Sequence, residues 1–135
     1  MKAMGIDFGL ARIGIALSDE TKFLASPFIT YKRKGGEQDI DYMLDLITTQ
    51  KVDEIVCGLP MNMQGEEQKI AKQTREFMEE LKARTNVSID FIDERLSSVM
   101  AEEFLKETEK DWKKRKEKLD AVAASILLQD YLDAR

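Results

Sequence analysis

The stretch Met4-Gly5-Ile6-Asp7-Phe8-Gly9 decides the reading of the chain. As a strand it places Met4, Ile6 and Phe8 on one face and Gly5, Asp7 and Gly9 on the other. One face is therefore apolar, and the other carries a single carboxylate between two residues without side chains. A glycine inside a strand marks a place where something approaches the backbone closely. The bland alternative is an aspartate that opens a turn at Gly9.

Working outward, Ile13-Gly14-Ile15-Ala16-Leu17 follows after so short a connection that the two strands form an antiparallel hairpin. Phe28-Ile29-Thr30-Tyr31, after Pro27, reads as a third strand. A helix over about 37–50 keeps Ile40, Met43, Leu44 and Ile47 on one stripe. Ile55 to Pro60 is a short buried strand expected to pair parallel to the first. A second helix over about 66–84 aligns Ile70, Thr74, Phe77, Met78 and Leu81. Val87 to Ile92 alternates as a fifth strand and runs into Asp93-Glu94-Arg95. Ser97 or Ser98 is expected to cap a third helix with Val99, Met100 and Phe104 on its inner side. A last helix is expected from about 116 to 133.

The order βββαβαβαα predicts an α/β fold: a mixed five-strand sheet, three meandering strands plus parallel βα units, flanked by helices. A chain of 135 residues corresponds to a single domain over 1–135. No apolar run reaches the ~20 residues of a membrane span, and Asp7 interrupts any signal-peptide core. The one cysteine excludes an intramolecular disulfide, so a reducing, cytoplasmic location is the expectation.

The chain has no histidine. That excludes histidine general bases, Ser-His and Cys-His nucleophiles and the common zinc sites. Chemistry must rest on carboxylates, lysines, hydroxyls or a metal held by oxygen, and clustered carboxylates favour Mg²⁺ or Mn²⁺. The net charge of −5 argues against a strongly basic footprint, but basic residues cluster at Lys32-Arg33-Lys34 and over 110–118, where six stand against two acids. Each cluster reads either as a solvated surface or as a nucleic-acid contact.

Sheets of this kind place their sites at the carboxyl ends of parallel strands. Two such ends here are acidic, Asp7 and Asp93-Glu94. A third acid comes from the last helix, where Asp120 shares a stripe with Ala123, Ala124, Leu127 and Tyr131 and so faces the sheet. Small residues beneath it let the helix sit close. The competing explanation is an acid serving the helix macrodipole.

Four motifs together resemble the YqgF family, also called RuvX. They are Asp7-Phe8-Gly9 with Arg12-Ile13-Gly14-Ile15-Ala16-Leu17-Ser18-Asp19; Gly58 to Gly65; Asp93-Glu94-Arg95-Leu96-Ser97-Ser98; and Asp120 to Ala124. They cover nearly the whole chain. Ala11 stands where that family usually has a basic residue, and Ser97-Ser98 where threonine is usual. The resemblance implies a ribonuclease H-like fold and a metal-dependent phosphodiesterase, linked to Holliday junction cleavage and to maturation of the 16S ribosomal RNA 5′ end. It implies Asp7, Glu94 and Asp120 as catalytic, metal-holding acids, for two Mg²⁺ or Mn²⁺ ions roughly 3.5–4 Å apart. Asp93 is the rival of Glu94, and strand parity puts the two on opposite faces. Arg12, Arg95, Lys113, Lys114 and Arg115 are the candidate nucleic-acid contacts. The partner would be an rRNA precursor or branched DNA, with the protein a monomer or a homodimer.

Two other readings use the same residues. One is a non-catalytic RNA- or ribosome-associated module. The other is a phosphotransferase of the actin and sugar-kinase type, whose first phosphate loop also begins with an Asp-x-Gly turn. A single domain of this size cannot close a nucleotide between two lobes.

Overall fold

The computed structural model describes residues 1–61, 69–93 and 97–135. Three strands come first: β1 (Lys2–Phe8), β2 (Arg12–Ser18) and β3 (Ala25–Lys32). β1 and β2 pair antiparallel with Met4 opposite Leu17 and Asp7 opposite Gly14. β2 and β3 continue the meander, with an irregularity beside Pro27, which has no N–H to give. Helix α1 (Gly36–Thr49) opens with Gly35 as N-cap and Gly36 as first residue, whose φ values of 100° and 52° suit glycine. It supplies the crossover that lets β4 (Val52–Leu59) lie parallel to β1. Helix α2 (Lys69–Lys82) does the same for β5 (Ser88–Asp93), parallel to β4. Helices α3 (Ser97–Thr108) and α4 (Trp112–Asp133) close the chain. The sheet order is β3-β2-β1-β4-β5, so β1 is central and antiparallel pairing meets parallel pairing on its two sides.

The two faces of the sheet are packed differently. Met4, Ile6 and Phe8 join Ile13, Ile15, Ile55 and Cys57 under Ile40, Met43 and Ile47 of α1 and Phe77, Met78 and Leu81 of α2. This is the large-residue core, built from the helical stripes and strand alternation of the sequence. The other face presents Ala3, Ala16 and Val56 to Ala124, Leu127, Leu128 and Leu132 of α4. Small strand residues there let one long helix lie close to the sheet.

Two expectations are corrected. Val99, Met100 and Phe104 are exposed rather than inward. Among the described side chains of α3 the buried ones are Ala101 and Leu105, which meet Val122 and Ala123 of α4. Position 101 carries a methyl group, and that small size brings the two helices together. The last helix also begins at Trp112, one turn before the expected start, with Asp111 as N-cap accepting a bond from the Lys113 N–H (2.9 Å). The start of the second helix and the serine caps of the third concern residues or side chains outside those described. Among the described residues, no helix is long and apolar enough to cross a membrane.

Candidate nucleic-acid cleavage site

The site grows from the small-residue face of β1. Gly5 and Asp7 lie two residues apart on that face, and α4 crosses it. A β-carbon at Gly5 would stand 2.7 Å from the Ala124 carbonyl oxygen and 2.8 Å from the Leu128 β-carbon. A β-carbon at Gly14 would stand 2.0 Å from the Asp120 carbonyl oxygen and 2.8 Å from its β-carbon. The two glycines therefore act as seats for the backbone of α4. Gly14 is the cross-strand partner of Asp7, and directly opposed β-carbons lie about 5 Å apart. Asp120 is thus seated beside Asp7, with their β-carbons no more than about 8 Å apart.

Asp120 is the ninth residue of α4, more than two turns from its start. A macrodipole role fades within the first turn, so it does not account for this acid. Ala124 faces the sheet as expected, whereas Ala123 faces α3. Thr30, opposite Gly14 on β3, accepts a bond from the Ala121 N–H (3.3 Å), which pins α4 beside Asp120. Arg12 Nε donates to Asp120 Oδ2 at 2.7 Å. Arg12 is 45% exposed and Asp120 21%, so the pair sits at the mouth of the clearing.

Asp93 lies on the other face. It follows Ile89 and Phe91, which pack against the large-residue core, and it is opposite Leu59. It therefore does not share the face of Asp7. Glu94 and Arg95 lie outside the described residues, as does the loop from 62 to 68. Among the described residues, no group of three acids is close enough to hold a metal. The pair Asp7 and Asp120 is what the described chain brings together.

The two basic clusters differ in how far they face solvent. Lys113 and Lys114 are exposed. Arg115 is half-buried and donates through Nη1 to the carbonyls of Glu109 (3.1 Å) and Lys110 (3.4 Å), so it ties the α3–α4 connection together. In the other cluster Arg33 turns inward. Its Nη1 donates to Gly9 O (3.1 Å) and Leu10 O (3.3 Å), and its N–H donates to Ala11 O (2.9 Å). Its guanidinium lies 4.6 Å over the Phe8 ring. Nε is held at 2.9 Å by Asp39, which is fully buried. Arg33 thus braces the turn that follows Asp7. The sequence reading missed it, because Arg33 stands inside the Lys32-Arg33-Lys34 charge run, six residues before Asp39.

Asp39 also accepts from Tyr31 Oη (2.9 Å), Lys34 N–H (2.9 Å) and Gly35 N–H (3.2 Å). Burial works to raise its pKa, but the bonds from Lys34, Arg33, Tyr31 and Gly35 outweigh burial and hold it below the usual carboxylate range. Burial and the same Asp39 bond push Tyr31 up to about 12.

The chain matches the family described as "RuvX: Holliday junction resolvase" over residues 1–134. The chain belongs to this family. A relative from Protochlamydia amoebophila, named "Putative pre-16S rRNA nuclease", is 43% identical over 99% of this chain and 94% of its own length. One of the same name from Clostridium acetobutylicum is 42% identical over 99% of each chain. Among solved structures, the fowlpox virus Holliday junction resolvase aligns with a TM-score of 0.61 at 16% identity, covering 99% of both chains. Thermus thermophilus RuvC in complex with a Holliday junction substrate aligns at 0.62 and 12% identity, covering 100% of this chain and 95% of the other. These distant likenesses establish the ribonuclease H-like fold. Among the described residues, Asp7 and Asp120 bring carboxylate oxygens to the clearing on β1, hard donors of the kind that divalent metal ions take.

Proposed function

We propose that this RuvX chain hydrolyses phosphodiester bonds in structured nucleic acid, either an rRNA precursor or branched DNA, at Asp7 and Asp120 with Glu94 completing the acid set. The observation that carries the reading is the seating of the Asp120 backbone on Gly14, the residue opposite Asp7. It puts two acids from opposite ends of the chain on one face of the central strand. A turn-forming role for Asp7 gives no reason for Asp120 to be seated beside it.

Asp7 and Asp120 would hold Mg²⁺ or Mn²⁺, which when bound supply an activated water and charge stabilisation at the leaving oxygen. The chain's own part is positional. Gly5 and Gly14 let α4 approach, Arg33 fixes the Gly9–Ala11 turn, and Arg12 and the exposed Lys113 and Lys114 offer positive charge to the phosphates. The names of the relatives support both substrate classes. A junction resolvase needs two sites, hence a homodimer; a processing ribonuclease can act as a monomer.

The test is cleavage of a labelled pre-16S leader RNA and a labelled four-way DNA junction, side by side, with Mg²⁺ or Mn²⁺, by wild type and Asp7→Asn. Cutting of either substrate by wild type alone supports the nuclease. Binding without cutting by pure protein would instead establish a non-catalytic RNA-associated module on the same fold.

A further inference from the structure

We infer that Arg12 is a placeholder cation: it occupies the Asp120 carboxylate until a divalent ion takes that acid, and then joins Lys32 in holding a phosphate of the substrate strand. The inference rests on the acid-pair reading above and adds a coupling between metal and nucleic acid.

Three observations carry it. Arg12 Nε reaches Asp120 Oδ2 at 2.7 Å, so the guanidinium competes with a divalent ion for the Asp120 carboxylate. Of the two partners Arg12 is the freer to leave. The Asp120 backbone is seated on Gly14 and pinned through Ala121 and Thr30, whereas the Arg12 side chain is long and nearly half exposed. Finally, Arg12 stands directly opposite Lys32 in the β2–β3 register. Like charges facing each other across a strand pair are destabilising. Lys32 is exposed and makes no ion pair among the described residues, so Asp120 is what offsets the arrangement.

Once a divalent ion occupies Asp120, Arg12 is released next to Lys32, and two adjacent positive side chains face the same side as the acids. An anion with several oxygens, such as a backbone phosphate, satisfies both. Arg33 does not contribute, being committed to Asp39 and to the turn carbonyls. Metal and phosphate then favour each other through Arg12, and the favour is reciprocal.

The experiment is a calorimetric titration of Mn²⁺, without nucleic acid, into wild type, Arg12→Gln, Lys32→Gln and Asp120→Asn, each checked for folding by circular dichroism. Releasing Asp120 from an exposed ion pair should tighten Mn²⁺ binding roughly fivefold in Arg12→Gln. Lys32→Gln removes the same charge without touching Asp120 and should stay within about twofold of wild type. Anisotropy of a labelled four-way DNA junction should then show that Ca²⁺ raises affinity in wild type and less so in Arg12→Gln. Equal tightening in both glutamine variants, or none in Arg12→Gln, overturns the placeholder while leaving the acid pair intact, provided Asp120→Asn weakens Mn²⁺. Mn²⁺ binding indifferent to Asp120→Asn overturns both.

Discussion

Gly14 lies beneath Asp120 so closely that a β-carbon at position 14 would fall 2.0 Å from the Asp120 carbonyl oxygen. The obstructing atom is backbone in the third turn of a long helix, and no side-chain rotation relieves it. Gly14→Ala should therefore push α4 off the sheet and cost about 3 kcal/mol. Thermal melting measures that cost. Cleavage at a temperature where the variant is fully folded should still be lost, because Asp120 moves with its helix. Normal cutting by folded Gly14→Ala would show that the seat does not serve the acid pair.

Asp7→Asn keeps size and removes charge. If the acid pair holds metal, cleavage with Mg²⁺ or Mn²⁺ falls by roughly a thousandfold or more. The melting temperature should hold or rise slightly without metal, since one of two neighbouring acids is gone. A structural turn residue predicts the opposite pattern, early melting with activity lost only in proportion. Both quantities should be measured on one preparation.

The Asp39 network makes a statement about pH. A carboxylate held below its ordinary pKa in the folded state contributes stability that is present above the unfolded value, about 3.9, and lost as pH falls through the folded value. Asp39→Asn leaves Arg33 without its buried counter-charge and should cost about 3 kcal/mol at pH 7. The gap between variant and wild type should close on acidification below pH 4. A gap unchanged from pH 7 to pH 3 would show that the charge on Asp39 contributes nothing.

The exposed lysines of α4 can be tested without disturbing the fold. Lys113→Glu with Lys114→Glu should weaken binding of leader RNA or junction several-fold and flatten its salt dependence. Arg115 is left unchanged in this variant because it holds the α3–α4 connection. Equal affinity and equal salt slope in the variant would mean that this end of α4 is a solvated surface.

The sequence made the central face readable because two periodicities crossed there. Alternation in β1 set Asp7 apart from Met4, Ile6 and Phe8, and the helical stripe set Asp120 with Ala124. Side-chain direction in α3 was not readable. Val99, Met100 and Phe104 outweigh Ala101 in hydrophobicity, yet the partner surface on α4 selects the smaller residue. Arg33 was hidden inside a charge run, because local composition cannot show that a guanidinium folds back across two strands to a turn. Asp39 gave no signal either. A buried acid on a helix looks like a surface acid until its four donors are in place.

The seating of α4 on β1 also has a bearing on the timing of synthesis. Asp7 and Asp120 stand 113 positions apart. At about 5–20 residues per second, translation of the intervening chain takes roughly 6 to 23 s. Throughout that interval the nascent polypeptide carries β1 with its glycine clearing uncovered and one member of the acid pair missing. The residues that build the clearing are made first, and the helix that fills it is made last. If Asp7 and Asp120 form the working site, a nuclease assembled this way is born inert and arms itself only when the final helix docks.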